Sequence, residues 1–288
     1  MQLGTDDSMI ERRNPEDSRI RVLHVDDDTH FTELIKHRLE HEAAHITVQT
    51  AATPNEGVSI LASDTVDCII SDYDMPTQNG VEFLQNVREE HPHLPFILYT
   101  SKGTEEIASE AISAGVTDYL QKQAAPSHHT LLANRIQNAV SQYRAQKEVE
   151  RNEDLLASTE QLANTGGWNF DIETGETRWT DGTYAIYGLE PDAELTKQEA
   201  IEFYHPEDRS EIKRLVERCI KTRESYEATF RLIDADDQLH WVLTNGEAIR
   251  KNGETVAIRG AIRDITGLKE NQKHPTTAQN RSGQRGGT

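Results

Sequence analysis

The sequence predicts two domains in series: an α/β doubly wound fold on a parallel five-stranded sheet, joined by a long helix to an α+β domain with an antiparallel sheet. Three observations carry this. Between residues 19 and 125, five short apolar runs (IRVLHV, ITVQT, DCIIS, PFILYT, VTDYL) alternate with amphipathic segments, the pattern of strands linked by crossover helices. From Ser127 to about Ala163 the chain lacks Gly and Pro and sets apolar residues at three- and four-residue steps. After Gly166-Gly167 the texture changes to short aromatic-bearing runs broken by turn signals (ETGE, DADDQ, KNGE), the mark of antiparallel hairpins.

In chain order, residues 1–18 are polar, carry Asn14-Pro15 and show no periodicity, so they read as a disordered leader. Residues 19–125 form the first domain, where runs such as IRVLHV and FILY are apolar without alternation, as strands covered on both faces are. Asp28, just before THFTELIKHRLE, is placed to cap the first helix. Residues 126–163 form the connecting helix; Gln146 and Asn152 interrupt its heptads, so a plain helix is expected rather than a sustained coiled coil. Residues 155–269 form the second domain, with helices expected around Asp181–Tyr187, Lys197–Phe203 and Glu207–Thr222. Residues 270–288, rich in Gly, Gln, Thr and Arg, read as a disordered tail.

Composition narrows the function. The 288 residues carry 50 acidic against 30 basic side chains, a formal charge of −20, so the surface repels nucleic acid and anionic membranes. No stretch approaches the roughly 18 apolar residues of a membrane span. A cytoplasmic protein with neither nucleic-acid nor membrane partners is expected. Cys68 and Cys219 stand in apolar surroundings and read as buried, reduced thiols. The histidines, His24 included, read as core or surface residues with their hydrogen bonds met rather than as ligands.

The polar residues that interrupt the apolar runs fall at one end of them. Asp26 and Asp27 follow the first, Asp72 the third, Thr100 closes the fourth and Lys122 follows the fifth. In an open parallel sheet those ends form the crevice where ligands bind. Three carboxylates drawn together repel one another unless protonated or bridged by a cation, and hard oxygen ligands suit Mg²⁺. The ion would shield an incoming phosphoryl group while one carboxylate attacks phosphorus in line. Lys122 can then pair with the phosphate and the Thr100 hydroxyl can donate to it.

The motifs V-D-D-D (25–28), S-D-Y-D-M-P (71–76), Y-T-S (99–101) and Y-L-Q-K (119–122) resemble those of the response-regulator receiver domain, a flavodoxin-like fold, over residues 19–125. The resemblance implies Asp72 as phospho-acceptor, Asp26 and Asp27 as the acid pair that holds Mg²⁺ together with Asp72, and Asp74 as a ligand through its backbone carbonyl. It further implies Lys122 as the phosphate-binding lysine, Thr100 and Tyr119 as the switch pair, and a sensor histidine kinase as partner. In that family a proline joined by a cis bond follows the lysine. Here Gln123 stands in its place, and a non-proline cis bond costs about 3 kcal/mol, so a trans loop is expected.

From about Leu155 to Lys269, G-G-W-N-F-D (166–171), W-T-D-G-T-Y-A-I-Y-G-L (179–189), H-P-E-D-R (205–209) and D-I-T (264–266) resemble the PAS sensor domain. This implies a five-stranded antiparallel sheet with short helices, one of them opened by the acidic residues of His205-Pro206-Glu207-Asp208. The succession of the two domains in an acid-rich chain is similar to haloarchaeal receiver–PAS signalling proteins. The ligand of the PAS domain is unknown from sequence: no cysteine lies in a flavin-adduct motif, no histidine is singled out for haem, and Trp168, Trp179 and Trp241 read as core aromatics.

Together these readings imply a two-component phosphorelay response regulator rather than an enzyme, since the eighteen residues after Glu270 leave no room for an autokinase. Two other readings stay open. V-D-D-D is similar to the start of haloacid-dehalogenase-like phosphatases, although His30 stands where those carry Thr or Val. Alternatively the PAS half is the sensor and the receiver an assembly platform. Homodimerisation through the connecting helix or the PAS domain is also left open.

Overall fold

The computed structural model describes residues 19–123, 126–191, 193–251 and 253–273. The expected leader (1–18) and the expected tail beyond residue 273 lie outside the described residues. The chain divides into two compact units with the boundary between Val149 and Glu150.

The first unit runs β1 (Ile20–Val25), α1 (Thr29–Glu42), β2 (Ile46–Ala51), α2 (Pro54–Ser63), β3 (Cys68–Ser71), α3 (Gly80–Glu90), β4 (Phe96–Thr100), α4 (Glu105–Ser113) and β5 (Asp118–Gln121). The helix α5 (Pro126–Ala163) then carries the chain into the second unit. The strands lie in the order β2-β1-β3-β4-β5, all parallel. Alternate side chains of one strand serve opposite faces. Ile20 and Val22 of β1 pack with Ile35 and Leu39 of α1 and Leu132, Ile136 and Val140 of α5. Leu23 and Val25 pack with Val81, Phe83 and Leu84 of α3 and Ala111 of α4. Cover on both faces is why these strands are apolar throughout.

The helix starts are written in polar side chains. Asp28 accepts from the His30 and Phe31 N–H groups, Thr53 caps α2 with Pro54 at its first position, and Asn79 with Glu82 forms a reciprocal capping box on α3. At the sheet edge away from the strand C-termini, the Arg144 guanidinium of α5 donates to the Arg19 carbonyl at 2.6 Å and to Asp67 Oδ1 at 2.9 Å, fixing α5 along the sheet. Cys68 is buried and free, as the sequence implied, and so is Cys219 in the second unit.

The second unit holds β6 (Thr165–Asp171), β7 (Thr177–Trp179), α6 (Asp181–Tyr187), α7 (Lys197–Glu202), α8 (Arg209–Thr222), β8 (Tyr226–Ile233), β9 (Leu239–Lys251), β10 (Glu254–Asp264) and α9 (Thr266–Lys273). Its sheet has the order β7-β6-β10-β9-β8, antiparallel throughout. Ile212, Leu215 and Cys219 of α8 cover Phe230, Leu232, Val242 and Ile258.

Two local expectations are corrected. The acids before α8 make no side-chain cap hydrogen bond with it: the helix starts at Arg209 with Asp208 as its N-cap residue, whose carboxylate instead grips Arg231, with Oδ1 2.7 Å from Nη2 and Oδ2 3.0 Å from Nε. A bidentate guanidinium is a stronger partner for a carboxylate than one backbone N–H. At the C-terminal end, the chain is helical through Lys273 rather than tail from residue 270, because Asp264 Oδ1 accepts the Thr266 N–H at 2.7 Å and starts the turn. Among the described residues no helix is long and apolar enough to cross a membrane.

Phe83 is fully buried and meets Phe96 edge to face at 5.6 Å. Phe83→Ala is expected to destabilise the first unit by about 3–5 kcal/mol, read as a lowered urea midpoint in far-UV circular dichroism; an unchanged midpoint would mean that the α3 face packs otherwise.

Candidate functional site

Parallel strands end at one edge, and the ladder sets the level of each. Val25 of β1 is in register with Ser71 of β3, Ser71 with Leu98 of β4, and Thr100 with Gln121 of β5. Asp26 and Asp72 are therefore level with each other and with Tyr99, and Thr100 and Lys122 follow one and two residues further along on the same rim. The Asp72 N–H donates to the Val25 carbonyl and the Lys122 N–H to the Thr100 carbonyl, both at 2.8 Å, so the ladder continues past the strand ends and holds these residues firmly.

Asp26, Asp27 and Asp72 each offer a carboxylate oxygen, and the three oxygens lie within 4.8 Å of one another. Asp26 and Asp72 are buried and Asp27 is exposed. Lys122 reaches the same point: its Nζ lies 2.6 Å from Asp26 Oδ2 and 2.9 Å from Asp72 Oδ1. No described peptide bond is cis, so the Lys122–Gln123 link is trans, as expected for a non-proline residue. The ammonium also rests over the Phe31 ring, 4.6 Å from its centroid, which a cation favours.

The two buried acids are used differently. Asp26 Oδ1 accepts the Asp28 N–H at 3.0 Å and Oδ2 takes Lys122, so both oxygens are engaged. Asp72 Oδ2 accepts the Asp74 N–H at 3.1 Å, whereas Oδ1 is buried with no aligned hydrogen bond, the ammonium standing close but off the donor direction. Burial pushes the Asp26 carboxyl above the ordinary carboxylate range, although Lys122 pulls the other way. Such a set suits a divalent cation: three hard oxygens converge, and one of them has spare acceptor capacity.

Gly80 opens α3 against this edge, and a Cβ there would stand 2.2 Å from the Asp72 carbonyl oxygen. Only glycine lets the helix approach so closely.

Of the remaining expected residues, Thr100 is fully buried and its Oγ1 accepts the Lys102 N–H at 3.2 Å. Tyr119 is partly buried and its hydroxyl donates to the Lys102 carbonyl at 3.2 Å. Asp74 sits at the rim with its carboxylate on the Lys102 ammonium. Lys102 thus links Thr100, Tyr119 and Asp74, and nothing in the sequence marks it beyond its position two residues after Thr100. Phe31 was equally silent. His24 is corrected: it is fully buried as a core histidine should be, but neither ring nitrogen has a hydrogen-bond partner, and Nε2 lies 3.8 Å from Asp26 Oδ2. Burial, and then the nearby Lys122 charge, push its pKa down to about 3, so the ring is neutral.

In the second unit, Trp168, Trp179 and Tyr187 are core aromatics, Trp179 and Tyr187 meeting at 4.5 Å. With Phe170, Tyr204 and Tyr226 they surround a cavity of about 70 Å³. Glu160, which sequence reading passed over, is buried at the end of α5 and accepts from Thr180 Oγ1 at 2.7 Å and from the Gly167 and Gly182 N–H groups at 3.2 Å each. The D-I-T stretch is tied down twice. Thr266 Oγ1 accepts the Trp241 N–H at 2.9 Å, and Asp264 shares His240 with Asp234, at 2.9 and 3.0 Å from Nδ1 and Nε2.

Comparison with known proteins agrees with this division. Residues 22–134 match the family model of the response regulator receiver domain, and residues 176–262 that of the PAS fold. The cyclic di-GMP phosphodiesterase response regulator RpfG of Xanthomonas campestris is 32% identical over 112 residues, 38% of this chain and 30% of that protein. The transcriptional regulatory protein CpxR of Klebsiella pneumoniae is 34% identical over 102 residues, 35% of this chain and 42% of that protein. The chain thus spans less than half the length of either relative. A solved receiver domain protein from Clostridium thermocellum is 27% identical with a TM-score of 0.40, covering 44% of this chain and 98% of its own.

Partial burial works against a charged His240 ring, but its hydrogen bonds to Asp234 and Asp264 outweigh this and raise its pKa above 6.5. A raised pKa means that the native state holds the proton more tightly than the unfolded chain. The stabilisation is full below about pH 6.5 and is lost as pH rises through the folded value. The thermal midpoint of the second unit should therefore fall as pH rises above about 6.5, and His240→Gln should flatten that fall. Equal slopes in wild type and variant would contradict the pairing.

Proposed function

We propose that this chain, a response regulator receiver domain followed by a PAS domain, is a two-component phosphorelay response regulator that takes a phosphoryl group on Asp72 from a sensor histidine kinase. It works in the cytoplasm and passes the signal on through α5 and the PAS domain, with no turnover of its own.

The observation that carries this is the asymmetry of the acids. Both oxygens of Asp26 are engaged in hydrogen bonds, whereas Asp72 Oδ1 accepts no aligned hydrogen bond and has the Lys122 ammonium beside it at 2.9 Å, a charge that can follow the phosphoryl group as the oxygen attacks. The same asymmetry speaks against the phosphatase reading, which requires an aspartate of the first loop as nucleophile. Asp26, Asp27 and Asp72 would hold Mg²⁺, with the Asp74 carbonyl completing the set. The ion would neutralise charge on the transferring group. Asp72 Oδ1 forms the bond to phosphorus as the bond from phosphorus to the donor histidine nitrogen breaks, and that nitrogen leaves with the electron pair.

Lys122 is already within 2.9 Å of the attacking oxygen and can turn from Asp26 to the phosphoryl oxygens. Thr100 lies at the neighbouring strand end with its hydroxyl proton available to donate. When the hydroxyl turns to the phosphoryl group, the Lys102 N–H loses its acceptor, and the Tyr119 hydroxyl held by the same residue is disturbed with it. The switch pair thus acts through Lys102.

Incubation with acetyl phosphate and Mg²⁺ is expected to add one base-labile phosphoryl group, seen by intact-mass spectrometry, and Asp72→Asn to abolish it. A label that persists in Asp72→Asn overturns the assignment, and phosphate-ester turnover dependent on Asp26 would favour the phosphatase instead.

A further inference from the structure

His24 lies in the middle of β1, fully buried, with both ring nitrogens unpartnered. A buried polar group with no partner forfeits its hydrogen bonds to water, and native proteins leave few such groups without cause. It shares a face of the sheet with Ile20 and Val22, where a valine or isoleucine would pack without that loss. The imidazole is held edge-on to Phe31 at 6.2 Å, and Phe31 in turn supports Lys122. One feature singles out the ring's direction: Nε2 is 3.8 Å from Asp26 Oδ2, the oxygen now taken by Lys122 at 2.6 Å.

We infer that His24 is a positioning residue of the acid site, a donor that takes over Asp26 Oδ2 when Lys122 leaves it. This rests on the metal-binding reading given above. A divalent ion on Asp26 repels the ammonium, and a phosphoryl group on Asp72 attracts it, so in the loaded site Oδ2 loses its present donor. An advance of about 1 Å brings the Nε2–H of His24 to hydrogen-bond distance. Held by the Asp28 N–H on one oxygen and by His24 on the other, the carboxylate keeps its orientation toward the ion. The unmet hydrogen bond of Nε2 in the free state is then a reserve, used when the ion arrives.

The test pairs ion binding with stability. Mn²⁺ alone is titrated into full-length protein and followed by loss of the free-ion EPR signal, and thermal unfolding is measured without ion. His24→Val is expected to weaken Mn²⁺ binding about 10-fold while raising the ion-free thermal midpoint, because an unpartnered polar group has been removed. His24→Gln, which keeps an amide donor near the Nε2 position, should bind close to wild type. A His24→Val protein that binds Mn²⁺ as wild type does overturns the inference. So does one that loses stability and affinity together, which would make His24 a packing residue. Failure of the wild type itself to bind Mn²⁺ removes the metal reading and the inference with it.

Discussion

The first domain turns on a single ammonium shared by two buried carboxylates. Lys122 Nζ stands 2.6 Å from Asp26 and 2.9 Å from Asp72, on a side chain only 15% exposed. Two acids that have left water repel each other, and one positive charge between them is what lets the strand ends of β1 and β3 meet. Removing one partner of such a buried set strands the other charges, typically at a cost of about 3–5 kcal/mol. The arrangement is therefore poised. A divalent ion can do the work of the ammonium, and a phosphoryl group offers the ammonium another place to go.

From that pivot the path to the rest of the domain is short. Asp72 bonds to Asp74, Asp74 to Lys102, and Lys102 to both Thr100 and Tyr119. The connections run through the loops after β3 and β4, away from the edge where Arg144 fixes α5. The Arg144 contacts and the Lys102 contacts are thus at opposite ends of the same sheet. In the PAS domain, Glu160 ties the last turns of the same helix to β6 and α6 through three hydrogen bonds, so α5 is anchored in each unit by a named polar side chain.

Much of this was legible in the sequence because it lies in periodicity and strand ends. Unbroken apolar runs gave the doubly wound sheet, and their last residues gave Asp26, Asp27, Asp72, Thr100 and Lys122, since a parallel sheet must bring those ends together. What was not legible depends on pairs distant in sequence. Lys102 matters through contacts with Asp74 and Tyr119 that no local pattern encodes. His24 passes for an ordinary core histidine until its lack of partners is seen. Asp208 looks like a helix cap, and only the fold brings Arg231 to claim it.

The central claim is that Lys122 is shared in the resting site and handed over in the loaded one. A structure of the full chain with Mg²⁺ and beryllofluoride, a phosphoryl mimic, tests it directly. The account predicts Lys122 Nζ on a fluorine atom and beyond about 3.5 Å from Asp26 Oδ2. An ammonium still seated on Asp26, with the mimic held by other groups, would contradict it.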